Sequence, residues 1–138
     1  MKTVKTVLGV TFTISAKLKA TGVQFPFSDK KDNTLHNHYR VTIKTNSGST
    51  TFDFYGSAQE YINGTMVMDN STMEHALYCF VSDACSAKDS FGGFCSEFGY
   101  DTDSRRAEKI YKACERSLAA YNRICSVDIY DMVNSAND

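Results

Sequence analysis

The feature that most constrains the fold is an amphipathic pattern across residues 103–125. At 100° per residue, cations fall within one narrow sector of a helical projection and apolar residues fall opposite. The cationic sector holds Arg105, Lys109, Lys112, Arg116 and Arg123, and the apolar sector holds Ala107, Cys114, Leu118, Tyr121 and Cys125. The pattern predicts one long helix that buries its apolar side in a core and leaves the five cations, the basic stripe, on the other side.

Alternating apolar and polar residues ahead of this helix predict β-strands. Apolar side chains recur at every second position in three runs, and a turn sequence ending at Gly48 separates the last two. A period of two is typical of a strand with one buried face, and a short glycine-containing loop between two such runs indicates a hairpin. We therefore predict an antiparallel sheet of three or more strands, built from residues near 8–19, 38–45 and 50–55.

The residues after Gly56 follow helical spacing instead. Asn70, Ser71 and Thr72 form an N-cap cluster for one helix, and Gly99 is placed to end another. Strands followed by helices predict an α+β fold in which the C-terminal helices cover one face of the antiparallel sheet. Helical segments are expected at 57–62, 70–84 and 90–98, ahead of the long helix, and 20–37 is expected to be an exposed connection.

Chain length and charge limit the classes of protein to which the chain can belong. A chain of 138 residues with 42% hydrophobic residues predicts one domain, residues 1–138, with a genuine core. The net charge is only -1, but residues 1–44 hold eight Lys/Arg against two Asp/Glu, and residues 53–103 hold nine Asp/Glu against one Lys. Such polarity can steer a charged partner to one side of the molecule.

The cysteines and the N-terminal sequence favour a cytoplasmic protein. The five cysteines are odd in number and form no C-x-x-C pair, so we expect small buried hydrophobic residues rather than disulfides or a zinc ribbon. Alternation in residues 10–19 interrupts any apolar signal-peptide core, and no apolar run approaches the length of a membrane span. We expect the protein to reside in the cytoplasm and not in a membrane.

Three short motifs invite a chemical interpretation. His36 and His38 could form half of a metal site, but further ligands are missing nearby. Residues 101–104 alternate carboxylates as a calcium loop does, yet a helix N-cap accounts for them. His75 and Cys79 are one helical turn apart without an orienting third group. We therefore predict no metal, no cofactor and no catalytic residues.

Two charged sets remain as candidate partner-binding residues. The basic stripe could follow a phosphate backbone, although aromatic stacking residues are not interleaved with it and Glu108 and Glu115 flank it. The acidic segment 53–103 could imitate nucleic-acid phosphates toward a basic protein channel. The predicted partner-binding residues are Asp53, Glu60, Asp69, Asp83, Asp89, Glu97, Arg105, Lys109, Lys112 and Arg116.

Three segments together resemble a family of small bacteriophage and prophage proteins. They are residues 39–44, 51–57 and, above all, 94–111, which reads FCSEFGYDTDSRRAEKIY. The resemblance covers about residues 38–125 and supplies no catalytic residues. It implies an accessory phage protein of the kind that binds and disables a host defence component, as anti-CRISPR proteins do.

These observations lead to two expected functions of different classes. The first is a phage-encoded, non-enzymatic inhibitor of a bacterial defence system, an anti-CRISPR protein that binds a Cas effector protein, and for this function we expect the acidic residues to matter more than the helix cations. The alternative is a phage nucleic-acid-binding or regulatory protein that uses the basic stripe directly.

Overall fold

The computed structural model describes residues 2–28, 31–56, 60–62 and 65–136. Its elements in chain order are β1 (Lys2–Val7), β2 (Val10–Gln24), β3 (Leu35–Thr45), β4 (Gly48–Gly56), β5 (Glu60–Ile62), β6 (Thr65–Val67), α1 (Asn70–Ser86), α2 (Phe91–Phe98), α3 (Arg105–Ile124) and α4 (Ile129–Ala136). The first four strands form one antiparallel sheet in the order β1-β2-β3-β4, and β5 pairs with β6. Helices cover one face of the sheet, so the predicted α+β fold is confirmed.

Strand alternation decides which side of the sheet is buried. Phe12 and Ile14 on β2 and Tyr39, Val41 and Ile43 on β3 point into the core and are almost fully buried. Their neighbours along each strand are polar and point to the opposite face, as a period of two requires. That opposite face is covered by no helix among the described residues.

The predicted bounds of the first long strand were wrong, and one strand of the sheet was not predicted. The first long strand runs over Val10–Gln24 rather than 8–19, and a further strand, β1, precedes it. Leu8 (φ 50°) and Gly9 (φ 79°) form the tight turn between them, with Val7 opposite Val10. Leucine at positive φ is uncommon in such a turn, and Val7 is the only large apolar residue that β1 buries, so the sequence signal for β1 is weak.

The segment 57–62 was predicted to be helical, and this was wrong for its described part. Glu60–Ile62 forms β5, which pairs with β6 so that Ile62 lies opposite Thr65, while residues 57–59 lie outside the described residues. The dipeptide Asn63-Gly64 between the two runs is a strong hairpin signal, and it outweighs a weak helical spacing.

Local capping explains where the helices begin and end. The Asp69 carboxylate accepts a hydrogen bond from Thr72 N (2.7 Å), so Asp69 and not the predicted Asn70–Thr72 cluster caps α1. Ser90 caps α2 and Gly99, at φ 75°, ends it as predicted. Ser104 caps α3 through Ala107 N (3.1 Å), which confirms the predicted N-cap role of the 101–104 segment.

The predicted orientation of the long helix is confirmed. Ala107, Cys114 and Tyr121 are buried, Leu118 is half-buried against the core, and Arg116 is exposed.

Helix α1 lies at the centre of the helical layer and contacts β1, β2 and β3. Helix α3 flanks it on the β4 side, and α4 flanks it on the β1 side. A satellite cluster joins α2 to the first half of α3. Within the described part of the chain, every helix is too short or too polar to cross a bilayer.

Candidate functional site: a cationic groove beside the edge strand

A groove of about 830 Å³ lies between β4 and α3. Strand β4 is at the edge of the sheet, and no strand among the described residues pairs with its free side. Helix α1 supplies the floor with Phe80 and Asp83, and the 25–27 loop closes one end together with Tyr100. The charged side chains that line the groove are Arg40, Asp53, Asp83, Arg106, Arg116 and Arg123.

One end of the groove is fixed by contacts to the loop that follows β2. The guanidinium of Arg106 donates from Nε to the Phe27 carbonyl (2.6 Å) and lies over the Tyr100 ring, 5.6 Å from its centre. The Phe25 ring meets the Tyr55 ring edge-on at 5.5 Å. These contacts tie the loop to the start of α3 and to the end of β4.

The other end is fixed where α3 meets the β3–β4 hairpin. Thr45 Oγ1 donates to the Ile124 carbonyl (2.5 Å), and Arg123 Nη2 lies 3.5 Å from the Ser49 carbonyl. The end of α3 therefore lies beside the start of β4, and the start of α3 lies beside the end of β4. Helix and strand run antiparallel along the whole groove.

The floor of the groove combines aromatic surface with one carboxyl group. Phe52 on β4 stacks on Phe80 of α1, with ring centres 5.2 Å apart. Asp83 is open to water in the groove, but the groove walls displace much of the water around its carboxyl group. This loss of hydration raises the pKa of Asp83 to about 6.

The charge of the groove is positive. Arg40 forms an ion pair with Asp53 (3.2 Å) on the uncovered sheet face, so these two charges largely cancel. That leaves Arg106, Arg116 and Arg123 against Asp83 alone. Arg116 is exposed and makes no ion pair within the described residues, so its charge is available to a partner.

The predicted acidic residues do not form one patch. Asp53 lies at hydrogen-bond distance from His38 Nε2 (2.9 Å) and forms the ion pair with Arg40, Asp69 caps α1, and Asp83 lies in the groove. Asp89 and Glu97 are exposed near the two ends of α2. Glu60 lies on β5, and its side chain is outside the described part of the structure. The carboxylates are dispersed and partly engaged within the protein.

The cations of the basic stripe separate into two groups. Arg105, Lys109 and Lys112 are exposed and do not line the groove, and Lys112 pairs with Glu108 of the same helix (2.9 Å). Arg116 and Arg123 reach the groove, where they are joined by Arg106 and Arg40, two residues that the helical projection did not identify. Only part of the stripe therefore belongs to the groove, which β4, α1 and the 25–27 loop complete.

The motifs with possible chemistry have structural roles in the described residues. His38 stacks on Tyr55 (4.6 Å) and contacts Asp53. The His75 and Cys79 side chains are neighbours as the helical spacing predicted (3.4 Å), but burial, and then the Asp83 carboxylate, raise the pKa of the Cys79 thiol to about 11, so it stays protonated at neutral pH. Cys79 and Cys85 are half-buried and the other three cysteines are buried, all of them free thiols.

Neither the groups that could hold a metal nor the comparisons with known proteins assign a function to the chain. The described residues contain no group of three or more His, Cys, Asp or Glu side chains that could hold a metal ion. The chain matches no protein-family model, no curated protein and no solved structure. The function must therefore be inferred from the groove itself.

The raised pKa of Asp83 predicts a pH-dependent stability difference for Asp83→Asn. The folded protein binds a proton at Asp83 up to about pH 6, whereas the unfolded chain releases it near 3.8, so the wild-type protein loses stability as the pH rises through this window. Because water reaches the carboxyl group, we expect D83N to raise the free energy of unfolding at pH 7 by only about 1 kcal/mol.

Urea unfolding at pH 7 and at pH 4 measures this difference. We expect the advantage of D83N to shrink at pH 4, where Asp83 in the folded protein is already neutral. The matched control is Asp89→Asn, an exposed carboxylate outside the groove, which should change stability by less than about 0.5 kcal/mol at either pH. A stabilisation of D83N that is equal at both pH values would contradict the explanation.

Proposed function

We propose that the protein is a phage-encoded, non-enzymatic inhibitor of a bacterial defence system, an anti-CRISPR protein that binds a Cas effector protein through the groove between β4 and α3. The observation that carries the proposal is the groove itself. A cationic cleft beside a free strand edge, with an aromatic floor, has the properties of a surface that binds a macromolecule. The phage resemblance of residues 38–125 supplies the biological context.

The groove favours a protein partner over a small substrate. Its walls carry arginines and aromatic rings, which are the residue types enriched at the centres of protein interfaces. The cysteine that lines the groove is Cys114, and burial, then the Asp83 carboxylate, raise the pKa of its thiol to about 12, so it stays protonated and is a poor nucleophile. The acidic residues are dispersed, so the cations and not the carboxylates are proposed to contact the effector.

Nucleic-acid binding remains the second candidate because of one further observation. The uncovered sheet face carries exposed Lys2, Lys17 and Lys44 among hydroxyl side chains, and the basic stripe on α3 is a second set of exposed cations. Such a surface can bind phosphates through counterion release. Against this candidate, the most exposed aromatic residues, Phe25, Phe98 and Tyr130, lie outside α3 and are not interleaved with the stripe.

Plaque formation tests the proposed function. In bacteria with an active CRISPR–Cas system directed against a phage, expression of this protein should restore plaquing by that phage, and the purified protein should co-elute with the effector of that system. Bacteria of the same strain without the targeting spacer are the control, because plaquing there should not change. Retardation of free DNA or RNA at physiological salt, with no recoverable effector and no restored plaquing in any CRISPR type tested, would favour the second candidate.

A further inference from the structure

We infer that the free edge of β4 binds an extended, acidic segment of a partner protein, which adds to the sheet as a fifth strand inside the groove. The inference deepens the proposed function by naming the chemistry of the partner segment, and it rests on that function for the partner being a protein. Three properties of the molecule support it: the direction of the β4 backbone groups, the space beside them and the charge around that space.

The β4 backbone has hydrogen-bonding groups that point into the groove. In an antiparallel pair, every second residue directs its N–H and C=O groups away from its partner strand. The Ser49 carbonyl faces Arg123 and not β3, which sets the phase of this alternation. Thr51, Asp53 and Tyr55 therefore direct their N–H and C=O groups to the free edge as well.

The space beside this edge is suited to a strand. The groove runs along β4 from the hairpin to the 25–27 loop, and Ser49 to Tyr55 span about 20 Å at about 3.4 Å per residue. An added strand of about seven residues fits this length. Its alternate side chains would face the groove, and those in the middle would meet the Phe52 ring, which stacks on the buried Phe80. The middle groove-facing residues of the partner segment are therefore expected to be apolar.

The charge of the groove selects an acidic segment. Arg116 and Arg123 extend from α3 along the wall that faces β4, and Arg106 stands at the far end. A strand added to β4 turns every second side chain toward this wall and the others toward the uncovered face. Carboxylates among the groove-facing residues would lie against the arginines, whereas basic residues at the same positions would meet like charges. Exposed edge strands invite unwanted pairing, and the arginine wall restricts the edge to acidic segments.

Amide hydrogen exchange on the complete protein tests the inference. The probe is a capped peptide of about eight residues whose alternate, groove-facing positions are glutamate at both ends and valine between them, with threonine at the other positions. On saturation with the probe, we expect exchange at the Thr51, Asp53 and Tyr55 amides to slow by about tenfold or more, because these N–H groups gain partners. The Thr50 and Phe52 amides, which already face β3, are the internal control and should change little.

A proline variant tests the same geometry. Thr51→Pro removes one outward N–H without breaking the β3–β4 ladder, since proline is tolerated where the N–H faces away from the sheet. We expect it to weaken binding of the probe peptide by about tenfold, whereas Thr51→Val, which loses the same contact with the Thr42 hydroxyl (3.1 Å) but keeps the N–H, should bind as the wild type does. Thermal unfolding shows whether T51P is folded. If T51P is unfolded, the amide exchange pattern of the wild-type protein tests the inference by itself.

The alternative results are distinct. A probe with lysine in place of glutamate should not bind, and equal binding of both probes would overturn the charge argument. Strand addition would be overturned if the peptide bound without the alternating pattern of amide protection. It would also be overturned if a single-stranded oligodeoxythymidine bound saturably and the peptide did not. If the peptide binds in this pattern but plaquing is never restored, the proposed function fails and the inference stands. If plaquing is restored equally by wild type and folded T51P, the inference fails and the function stands.

Discussion

Leu77→Ala is expected to lower the free energy of unfolding by about 2–5 kcal/mol, far more than the replacement of an exposed aliphatic residue should. Leu77 has no exposed surface and lies at the centre of α1, the helix that contacts the sheet as well as α3 and α4. Truncation to alanine leaves a cavity that the sheet and the two neighbouring helices would have to close. Since a domain of this size is stable by only about 5–15 kcal/mol, the loss is a large share of the total stability, and the melting temperature should fall with it.

Val4→Ala is the matched control for this prediction. Val4 is also aliphatic, but 62% of it is exposed, on the sheet face that the helices leave uncovered. We expect its replacement to change stability by less than about 0.5 kcal/mol. Chemical denaturation of both variants, followed by circular dichroism, makes the comparison. A cost for V4A similar to that of L77A would mean that the uncovered face is buried in solution by a second molecule.

The layers of the fold were predictable because hydrophobic periodicity records which face of each element is buried. The alternation around Val41 and Phe52 identified the hairpin, and the helical spacing of Cys114, Leu118 and Tyr121 identified α3 with its correct orientation. Elements with a weak periodic signal were not predicted correctly. Strand β1 buries little apolar surface, and the Glu60–Ile62 strand has too few residues for either period to be distinguished.

The groove was only partly predictable, because its residues come from segments that periodicity treats separately. Arg116 was identified as a candidate from the helical projection, and Asp83 from the charge of its segment. Nothing in the sequence indicated that the 25–27 loop would return to Arg106 or that Asp83 would lie beneath α3. The prediction that carboxylates dominate partner binding also came from charge counted along the chain, which does not show whether a carboxylate is already paired, as Asp53 is.

Reversal of the groove arginines should have the largest effect on function. In the double variant R116E/R123E, we expect the affinity for the glutamate–valine probe to fall about a hundredfold, since each of two charge contacts is replaced by a repulsion and each tenfold loss corresponds to about 1.4 kcal/mol. Restoration of plaquing should be lost in parallel. The wild-type affinity should also fall as salt is added, because these charges are only partly shielded from solvent.

The control must change the same charge on the same helix outside the groove. R105E/K109E meets this condition, because both side chains belong to the basic stripe, both are exposed, and neither lines the groove. We expect this variant to retain probe binding within about threefold, a difference that corresponds to less than about 1 kcal/mol. If R105E/K109E were the more damaging pair, the outer stripe would be the functional surface. Loss of nucleic-acid binding in that variant would then identify the protein as the phage nucleic-acid-binding protein of the second candidate, with the groove serving only to join α3 to the sheet.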